Sequence, residues 1–166
     1  MRNLAIIAVG SNVGEPSKQV RDAIARLQEF SAEPLLQSSL WETAPIDCPP
    51  GSPVFINAVV AVVPHKGESP ESLLSKLQRL EKQFGRRPKK VHNEPRPLDL
   101  DLIAFGTETR NSKALVLPHP RAHQRRFVLQ PLSEIVPELI LPGQTRTVSE
   151  LLKSLPADGS VRKTRP

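Results

Sequence analysis

Two long apolar runs constrain the fold of this chain more than any other feature. Residues 4–9 form an uninterrupted apolar stretch, and residues 54–63 form a longer one that is rich in β-branched side chains and contains a single polar residue, Asn57. Apolar runs of this length are typical of strands in the centre of a sheet, and β-branched residues favour the strand conformation. We therefore predict two central β-strands around which the rest of the chain packs.

The segments around these two strands alternate between helix and strand. Pro16 suits a first helical turn, and the spacing of Val20, Ile24 and Leu27 predicts a helix with one buried face. A second helix is predicted from its cap Ser69 to the glycine at position 85. Further strands are predicted over residues 35–42, 98–105 and 115–117, and a capping box at residues 147–150 opens a small helix that ends at residue 155.

The predicted order is β-α-β-β-α-β followed by smaller elements. This order matches the split β-α-β, or ferredoxin-like, plan of an α+β protein. We expect a mainly antiparallel sheet with helices on one face, in a single domain over residues 1–155. Residues 156–166 are polar and basic, and we expect them to form a disordered tail.

Composition narrows the possible partners and the compartment. The 166 residues carry a net charge of +6, which favours polyanionic partners, namely nucleotides, nucleic acid or acidic membrane surfaces. Cys48 is the single cysteine, so an internal disulfide framework and a cysteine-based zinc cluster are excluded. Because no apolar run is long enough for a signal peptide or a membrane span, we expect a cytoplasmic protein that does not bind membranes.

The strand predicted over residues 98–105 carries two carboxylates. Asp99 and Asp101 lie two residues apart, so their side chains project from the same face of the strand. Two neighbouring carboxylates repel, and a cation between them is expected. Mg²⁺ suits this pattern, because it takes one or two carboxylates together with substrate phosphates. The alternative is an aspartate pair that only forms ion pairs with the basic segment at residues 85–96.

Other residues are weaker candidates when taken alone. The segment from Gly10 to Gly14 resembles a phosphate loop but lacks the Lys and Ser/Thr of a Walker A motif. A plain turn between a strand and a helix is therefore the alternative interpretation. His119 and His123 lie four positions apart, but neighbouring prolines disfavour a helical zinc pair. Asn57 lies in the middle of an apolar strand, where its amide needs a hydrogen-bonding partner.

Five motifs in order resemble those of the 6-hydroxymethyl-7,8-dihydropterin pyrophosphokinase family of folate biosynthesis. They are Gly10-Ser11-Asn12, Phe55-Ile56-Asn57-Ala58, Pro95-Arg96-x-x-Asp99-x-Asp101-Leu102-Ile103, Pro118-His119-Pro120 and Arg125-x-Phe127-Val128-Leu129-x-Pro131-Leu132. The resemblance covers nearly all of residues 4–155. It implies an ATP-dependent transferase that moves pyrophosphate to the hydroxymethyl oxygen of the pterin and releases AMP.

The resemblance also implies roles for individual residues. Asp99 and Asp101 correspond to ligands of two Mg²⁺ ions that bridge the ATP phosphates, and Arg86 and Arg96 to catalytic-loop arginines. The implied nucleotide-binding residues are Gln78, Glu81, His119 and Arg125. The implied pterin-binding residues are Thr43, Ile46, Phe55, Asn57 and Phe127, with Phe55 and Phe127 on the two faces of the ring. ATP and the pterin are the expected partners of a monomer that binds no nucleic acid.

The chain departs from the family pattern in the basic segment. Well-known members carry an arginine where this chain has Pro88 and a tryptophan where it has Asn93, and Glu94 replaces a residue that is often small. Lys89 and Lys90 could supply the missing charge, but a lysine does not reproduce the bidentate fork of an arginine.

Two other functions are compatible with parts of the sequence. The positive charge and the ferredoxin-like plan also suit an RNA-binding module, although aromatic residues are few and no ribonucleoprotein motif occurs. A Mg²⁺-dependent nuclease or nucleotidyltransferase would share the aspartate pair, but it would not need Asn57 between two aromatic residues.

Overall fold

A six-stranded antiparallel sheet organises the part of the chain that the structure describes. The computed structural model describes residues 3–43, 54–85, 97–156 and 161–164. The strands follow the order β5-β1-β4-β3-β8, and β2 also pairs with β4. They are β1 (Ala5–Ser11), β2 (Leu36–Gln37), β3 (Trp41–Thr43), β4 (Phe55–Val62), β5 (Asp99–Phe105) and β8 (Val161–Lys163). A separate hairpin joins β6 (Arg110–Asn111) to β7 (Val116–Leu117).

The two apolar runs form the centre of the sheet, as predicted. Strand β1 pairs with β4 over its whole length, from Ala5 opposite Val62 to Ser11 opposite Ile56. On its other side β1 pairs with β5, with one register shift between Ile6 and Ile7. Both faces of β1 and β4 are buried, which explains why these strands are apolar at nearly every position.

The first face of the sheet is covered by α1 (Pro16–Leu27) and α2 (Pro70–Gln83). These helices bury leucines and other apolar residues against alternate positions of β1, β4 and β5. Helix α2 begins with a capping box between Ser69 and Ser72, and Pro70 occupies its first turn. The sequence signals for this helix were local, and its predicted position is confirmed.

The second face is covered as well, which differs from the prediction that helices lie on one face only. Helices α3 (Arg126–Ile135) and α4 (Val148–Ser154) pack on this face through Val128, Leu129 and Leu151. Their partners are the alternate side chains of the central strands, such as Val59. Because the central strands are apolar on both faces, one layer of helices would leave half of their surface exposed to water.

Two further segments differ from the sequence prediction. The strand predicted over residues 35–42 is interrupted, and its two parts, β2 and β3, pair with different portions of β4. The tail, expected to be disordered, contributes Val161–Lys163 as an edge strand beside β3. Among the described residues, no helix has the length and apolar character to cross a membrane.

Candidate active site

Strand β1 aligns polar residues from the strands on its two sides. Asp99 of β5 lies opposite Gly10, and Gly10 lies opposite Asn57 of β4. One step along the sheet, Asp101 lies opposite Ala8. Residues directly opposite each other in an antiparallel ladder project from the same face. Asp99, Asp101 and Asn57 therefore share one face of the sheet, and the predicted placement of the two aspartates is confirmed.

The Asn57 amide is held from two sides. Its Nδ2 donates a hydrogen bond of 2.6 Å to Oγ1 of Thr43, which is buried at the end of β3. Its Oδ1 lies over Gly10, where an added Cβ atom would be only 2.8 Å away. Phe55 is two residues before Asn57, so it projects from the same face. Gly10 was predicted to lie in a turn, but the structure places it within β1, where it makes room for Asn57.

Glu81 of α2 contacts the backbone between the two aspartates. The Leu100 N–H donates to Oε2 of Glu81 over 2.7 Å. Strand β5 is at the edge of the sheet, and the Glu81 carboxylate satisfies one of its outward backbone groups. Glu81 therefore fixes the segment that carries Asp99 and Asp101. Gln78 lies one turn earlier on α2 and is exposed.

His119 lies beside the same strand. Its backbone N–H donates to the Ile103 carbonyl over 2.8 Å, two residues beyond Asp101. Burial lowers the pKa of His119, and the positive charges of Arg125 and Arg121 lower it further. Because Nδ1 accepts a hydrogen bond of 3.2 Å from the Arg121 N–H, the ring proton of the neutral form is on Nε2. His119 can therefore act as a neutral donor toward an anion.

Arg125 and Phe127 are brought together at the start of α3. The guanidinium carbon of Arg125 lies 5.4 Å from the centre of the Phe127 ring, within the range of a cation–π contact. Phe127 is partly buried against the apolar cluster on the second face of the sheet. This is also the face from which Asn57 and the aspartates project, because Val59 and Ala61 follow Asn57 at alternate positions of β4 and belong to that cluster.

The arrangement of carboxylate and imidazole side chains among the described residues suits Mg²⁺ better than a structural zinc ion. Within residues 3–43, 54–85, 97–156 and 161–164, no group of three or more His, Cys, Asp or Glu side chains could hold a metal ion. A structural zinc site needs four such ligands. The pair Asp99 and Asp101 fits Mg²⁺, which takes one or two carboxylates and fills its other positions with water and substrate phosphates.

Three predicted site residues lie outside the described part of the chain: Ile46, Arg86 and Arg96. Pro88 and Asn93, where the sequence departs from the family pattern, lie outside it as well. Two residues near the site were missed by the sequence analysis, namely Gly10 as a close-approach position and Glu134, which contacts strand β3. Glu134 accepts a hydrogen bond from Trp41, 93 positions away, and no local pattern signals such a contact.

Comparison with known proteins gives consistent matches over most of the chain. Residues 6–137 match the sequence pattern of the family described as 7,8-dihydro-6-hydroxymethylpterin-pyrophosphokinase. The chain is 36% identical over 163 residues to 2-amino-4-hydroxy-6-hydroxymethyldihydropteridine pyrophosphokinase of Haemophilus influenzae, and the alignment covers 98% of both proteins. It is 37% identical over 136 residues to the enzyme of the same name from Bacillus subtilis, covering 81% of this chain and 79% of that protein.

Other relatives are much longer than this chain. The chain is 39% identical over 160 residues to folic acid synthesis protein fol1 of Pneumocystis carinii, which covers 96% of this chain but only 21% of the relative. The crystal structure of Plasmodium falciparum HPPK-DHPS with pteroate superimposes with a TM-score of 0.70, covering 92% of this chain and 42% of that one. The identity is 15%, so this match shows the fold alone.

Proposed function

Because the chain belongs to the 7,8-dihydro-6-hydroxymethylpterin-pyrophosphokinase family, we propose that it transfers pyrophosphate from ATP to 6-hydroxymethyl-7,8-dihydropterin in folate biosynthesis. The pterin hydroxymethyl group is the acceptor, and AMP is released. The observation that supports this proposal most strongly is the shared sheet face of Asp99, Asp101 and Asn57. A carboxylate pair that can bind a metal–phosphate complex and an amide that can bind a heterocycle are then separated by strand β1 only.

Asp99 and Asp101 are proposed to hold two Mg²⁺ ions together with the ATP phosphates. When bound, Mg²⁺ neutralises negative charge on the reacting phosphates and so lowers the barrier to transfer. The contribution of the chain is to keep both carboxylates on one face and at a fixed height along β5. Glu81 supports this through the Leu100 N–H. The resemblance also assigns Glu81 and Gln78 to nucleotide binding.

Asn57, Phe55 and Phe127 are proposed to bind the pterin. The Thr43 hydroxyl fixes the orientation of the Asn57 amide, which can then pair with the donor and acceptor edge of a flat heterocycle. Phe55 projects from the sheet and Phe127 from α3, and two rings on opposite sides suit a stacked bicyclic ligand. Ile46 and the residues near Thr43 are proposed to line the same pocket.

His119 and Arg125 are proposed to bind the phosphates of ATP. A neutral His119 donates from Nε2 without the desolvation cost of a buried charge, and Arg125 supplies a permanent positive charge. Arg86 and Arg96 are proposed to stabilise charge at the reacting phosphate.

The proposed reaction needs no covalent intermediate. The oxygen of the pterin hydroxyl attacks the β-phosphorus of ATP in line, and the hydroxyl proton passes to solvent. The bond from that phosphorus to the oxygen of the α-phosphate breaks, and AMP leaves. The residues named above position the two substrates and stabilise charge, as is usual for phosphoryl transfer. Family membership favours this function over an RNA-binding module or a nuclease. A cytoplasmic, monomeric enzyme is part of the proposal.

The proposal is tested by following AMP formation. Purified protein is incubated with ATP and Mg²⁺, with and without 6-hydroxymethyl-7,8-dihydropterin. We expect AMP to form at a substantial rate only when the pterin is present. AMP formation that does not depend on the pterin would contradict the proposal, as would no AMP formation with both substrates.

A further inference from the structure

Strand β3 connects the candidate site to the C-terminal segment. It is only three residues long, and it pairs with β4 on one side and with β8 on the other. Thr43, at its end, accepts the hydrogen bond from Asn57 and lies opposite Val161 of β8. The C-terminal strand is therefore separated from the Asn57 amide by a single short strand.

The ladder between β3 and β8 has a defined hydrogen-bonding pattern. Thr164 donates to the Leu40 carbonyl from its backbone N–H over 3.0 Å and from its hydroxyl over 3.1 Å. In an antiparallel ladder, hydrogen-bonded pairs alternate with pairs that are not hydrogen-bonded. The pair Glu42–Arg162 is therefore hydrogen-bonded, and its N–H groups point inward, that is, each toward the partner strand. The N–H of Lys163 points away from β3.

Helix α3 makes a second set of contacts that holds β3 in place. The carboxylate of Glu134 on α3 accepts hydrogen bonds from the Trp41 indole over 2.7 Å and from Ser39, whose N–H and hydroxyl are 3.1 and 2.8 Å away. The Lys163 ammonium lies 3.9 Å from the same carboxylate but is exposed to solvent, so this ion pair contributes little to holding β3. A strand as short as β3 has little stability of its own, so these neighbours determine its position.

We propose that β8 is a positioning element of the pterin site, acting through Thr43 on Asn57. Strand β8 pairs with β3, β3 presents the Thr43 hydroxyl, and that hydroxyl orients the amide that recognises the pterin. Residues 161–163 lie beyond residues 6–137, which match the family pattern. The identity of the ligand rests on the proposed function, whereas the contacts from β8 through β3 to Asn57 do not.

The consequence is selective for one substrate. When β8 detaches, β3 becomes the edge of the sheet, and among the described strands its end at Thr43 then pairs only with β4. The Asn57 amide then has to be ordered when the pterin binds, which weakens pterin binding. Asp99 and Asp101 lie on β5, beyond β4 and β1 from β3, so ATP binding is unaffected.

A matched pair of proline variants tests this proposal in the full-length protein. Arg162→Pro removes an inward N–H from the ladder, whereas Lys163→Pro removes an outward one. Both replace one exposed cation by proline, so charge and chain stiffness change equally. Arg162→Ala controls for the 3.6 Å ion pair with Glu42. Thr164→Pro, which removes the donor to Leu40, is a second disrupting variant if Arg162→Pro does not fold.

Trp41 provides a direct signal for binding near β3. It is the only tryptophan, and the chain has no tyrosine, so the intrinsic fluorescence comes from β3. We expect Arg162→Pro to raise the Kd and KM for the pterin roughly tenfold, the cost of one lost hydrogen bond. The kcat at saturating substrates and the Kd of a non-hydrolysable ATP analogue should stay within a factor of about two, as should every constant of Lys163→Pro.

A double-variant cycle with Thr43→Val tests the route of the effect. If β8 acts through Thr43, Arg162→Pro adds little to the loss that Thr43→Val already causes. Independent losses that multiply would overturn the proposal, as would equal pterin constants for Arg162→Pro and Lys163→Pro. In each case the wild-type protein forms AMP with the pterin, so the proposed function is unaffected. A wild-type protein that forms no AMP would instead contradict the proposed function. In that case, the NMR signal of the Asn57 side-chain amide in the two proline variants would still decide whether β8 orients this amide.

Discussion

Substituting Gly10 by alanine tests how closely the sheet is packed beneath the Asn57 amide. Gly10 is buried in β1, between Asp99 on one neighbouring strand and Asn57 on the other. An added Cβ would be 2.8 Å from Asn57 Oδ1, 3.8 Å from the Ile56 carbonyl oxygen and 3.9 Å from Asn57 Cγ. Only the first distance is repulsive, so the amide of Asn57 has to move.

The movement is costly because the amide is already fixed. Asn57 Nδ2 donates to Thr43 Oγ1 over 2.6 Å, and turning the amide away from Gly10 breaks or lengthens that bond. A buried group that loses its partner costs roughly 1–3 kcal/mol, which is about 5- to 150-fold in Kd. We therefore expect Gly10→Ala to weaken pterin binding by at least fivefold, whereas binding of an ATP analogue changes by less than about twofold.

Isothermal titration with the pterin and with the ATP analogue measures both effects. Gly143→Ala is the control, because Gly143 has a φ of +81° and open space around it. That variant loses stability through backbone strain but should bind the pterin normally. In the Asn57→Ala background, Gly10→Ala should cause no further loss of pterin binding. Unchanged pterin affinity in Gly10→Ala, or an equal loss for both ligands, would mean that Gly10 does not make room for the Asn57 amide.

Three further predictions concern the metal and phosphate side of the site. Asp99→Ala and Asp101→Ala should each lower kcat by roughly 10²-fold or more at saturating Mg²⁺. The control Asp22→Ala, on the exposed surface of α1, should leave kcat unchanged. A folded Asp99 or Asp101 variant with more than about a tenth of wild-type turnover would contradict this. Glu81→Leu should lower kcat roughly tenfold and Glu81→Gln much less, because glutamine still accepts the backbone hydrogen bond; equal losses would show that charge matters instead. The pKa of His119 is lowered in the folded protein, so the unfolded chain takes up a proton first and stability falls as the pH drops below about 6.5. Urea unfolding at about pH 7.5 and about pH 5.5 should show a smaller difference for His119→Gln than for the wild type, and an unchanged difference would argue against the lowered pKa.

The elements with strong local signals could be predicted from the sequence. Strands β1 and β4 are apolar at most positions, and α2 begins at a serine cap followed by proline, so their positions follow from short-range chemistry. The common face of Asp99 and Asp101 follows from the two-residue period of a strand. That Asn57 shares this face depends on the register between three strands, which local patterns do not specify.

The missed elements depend on contacts between distant parts of the chain. Helix α3 contains Pro131 and follows a basic cluster, which is more typical of a loop, but its apolar side chains are buried on the second face of the sheet. Strand β8 is short and polar, and only its pairing with β3, more than a hundred residues earlier, makes it a strand. The contact between Glu134 and Trp41 is of the same kind.

Whether this chain moves a pyrophosphoryl group as one unit is decided by the identity of the two products. Phosphorus NMR of a completed reaction with ATP, Mg²⁺ and 6-hydroxymethyl-7,8-dihydropterin distinguishes a diphosphate ester from a monophosphate ester. We expect AMP and the pterin diphosphate in equal amounts, with no ADP. The formation of ADP together with a pterin monophosphate would show instead that a single phosphoryl group is transferred.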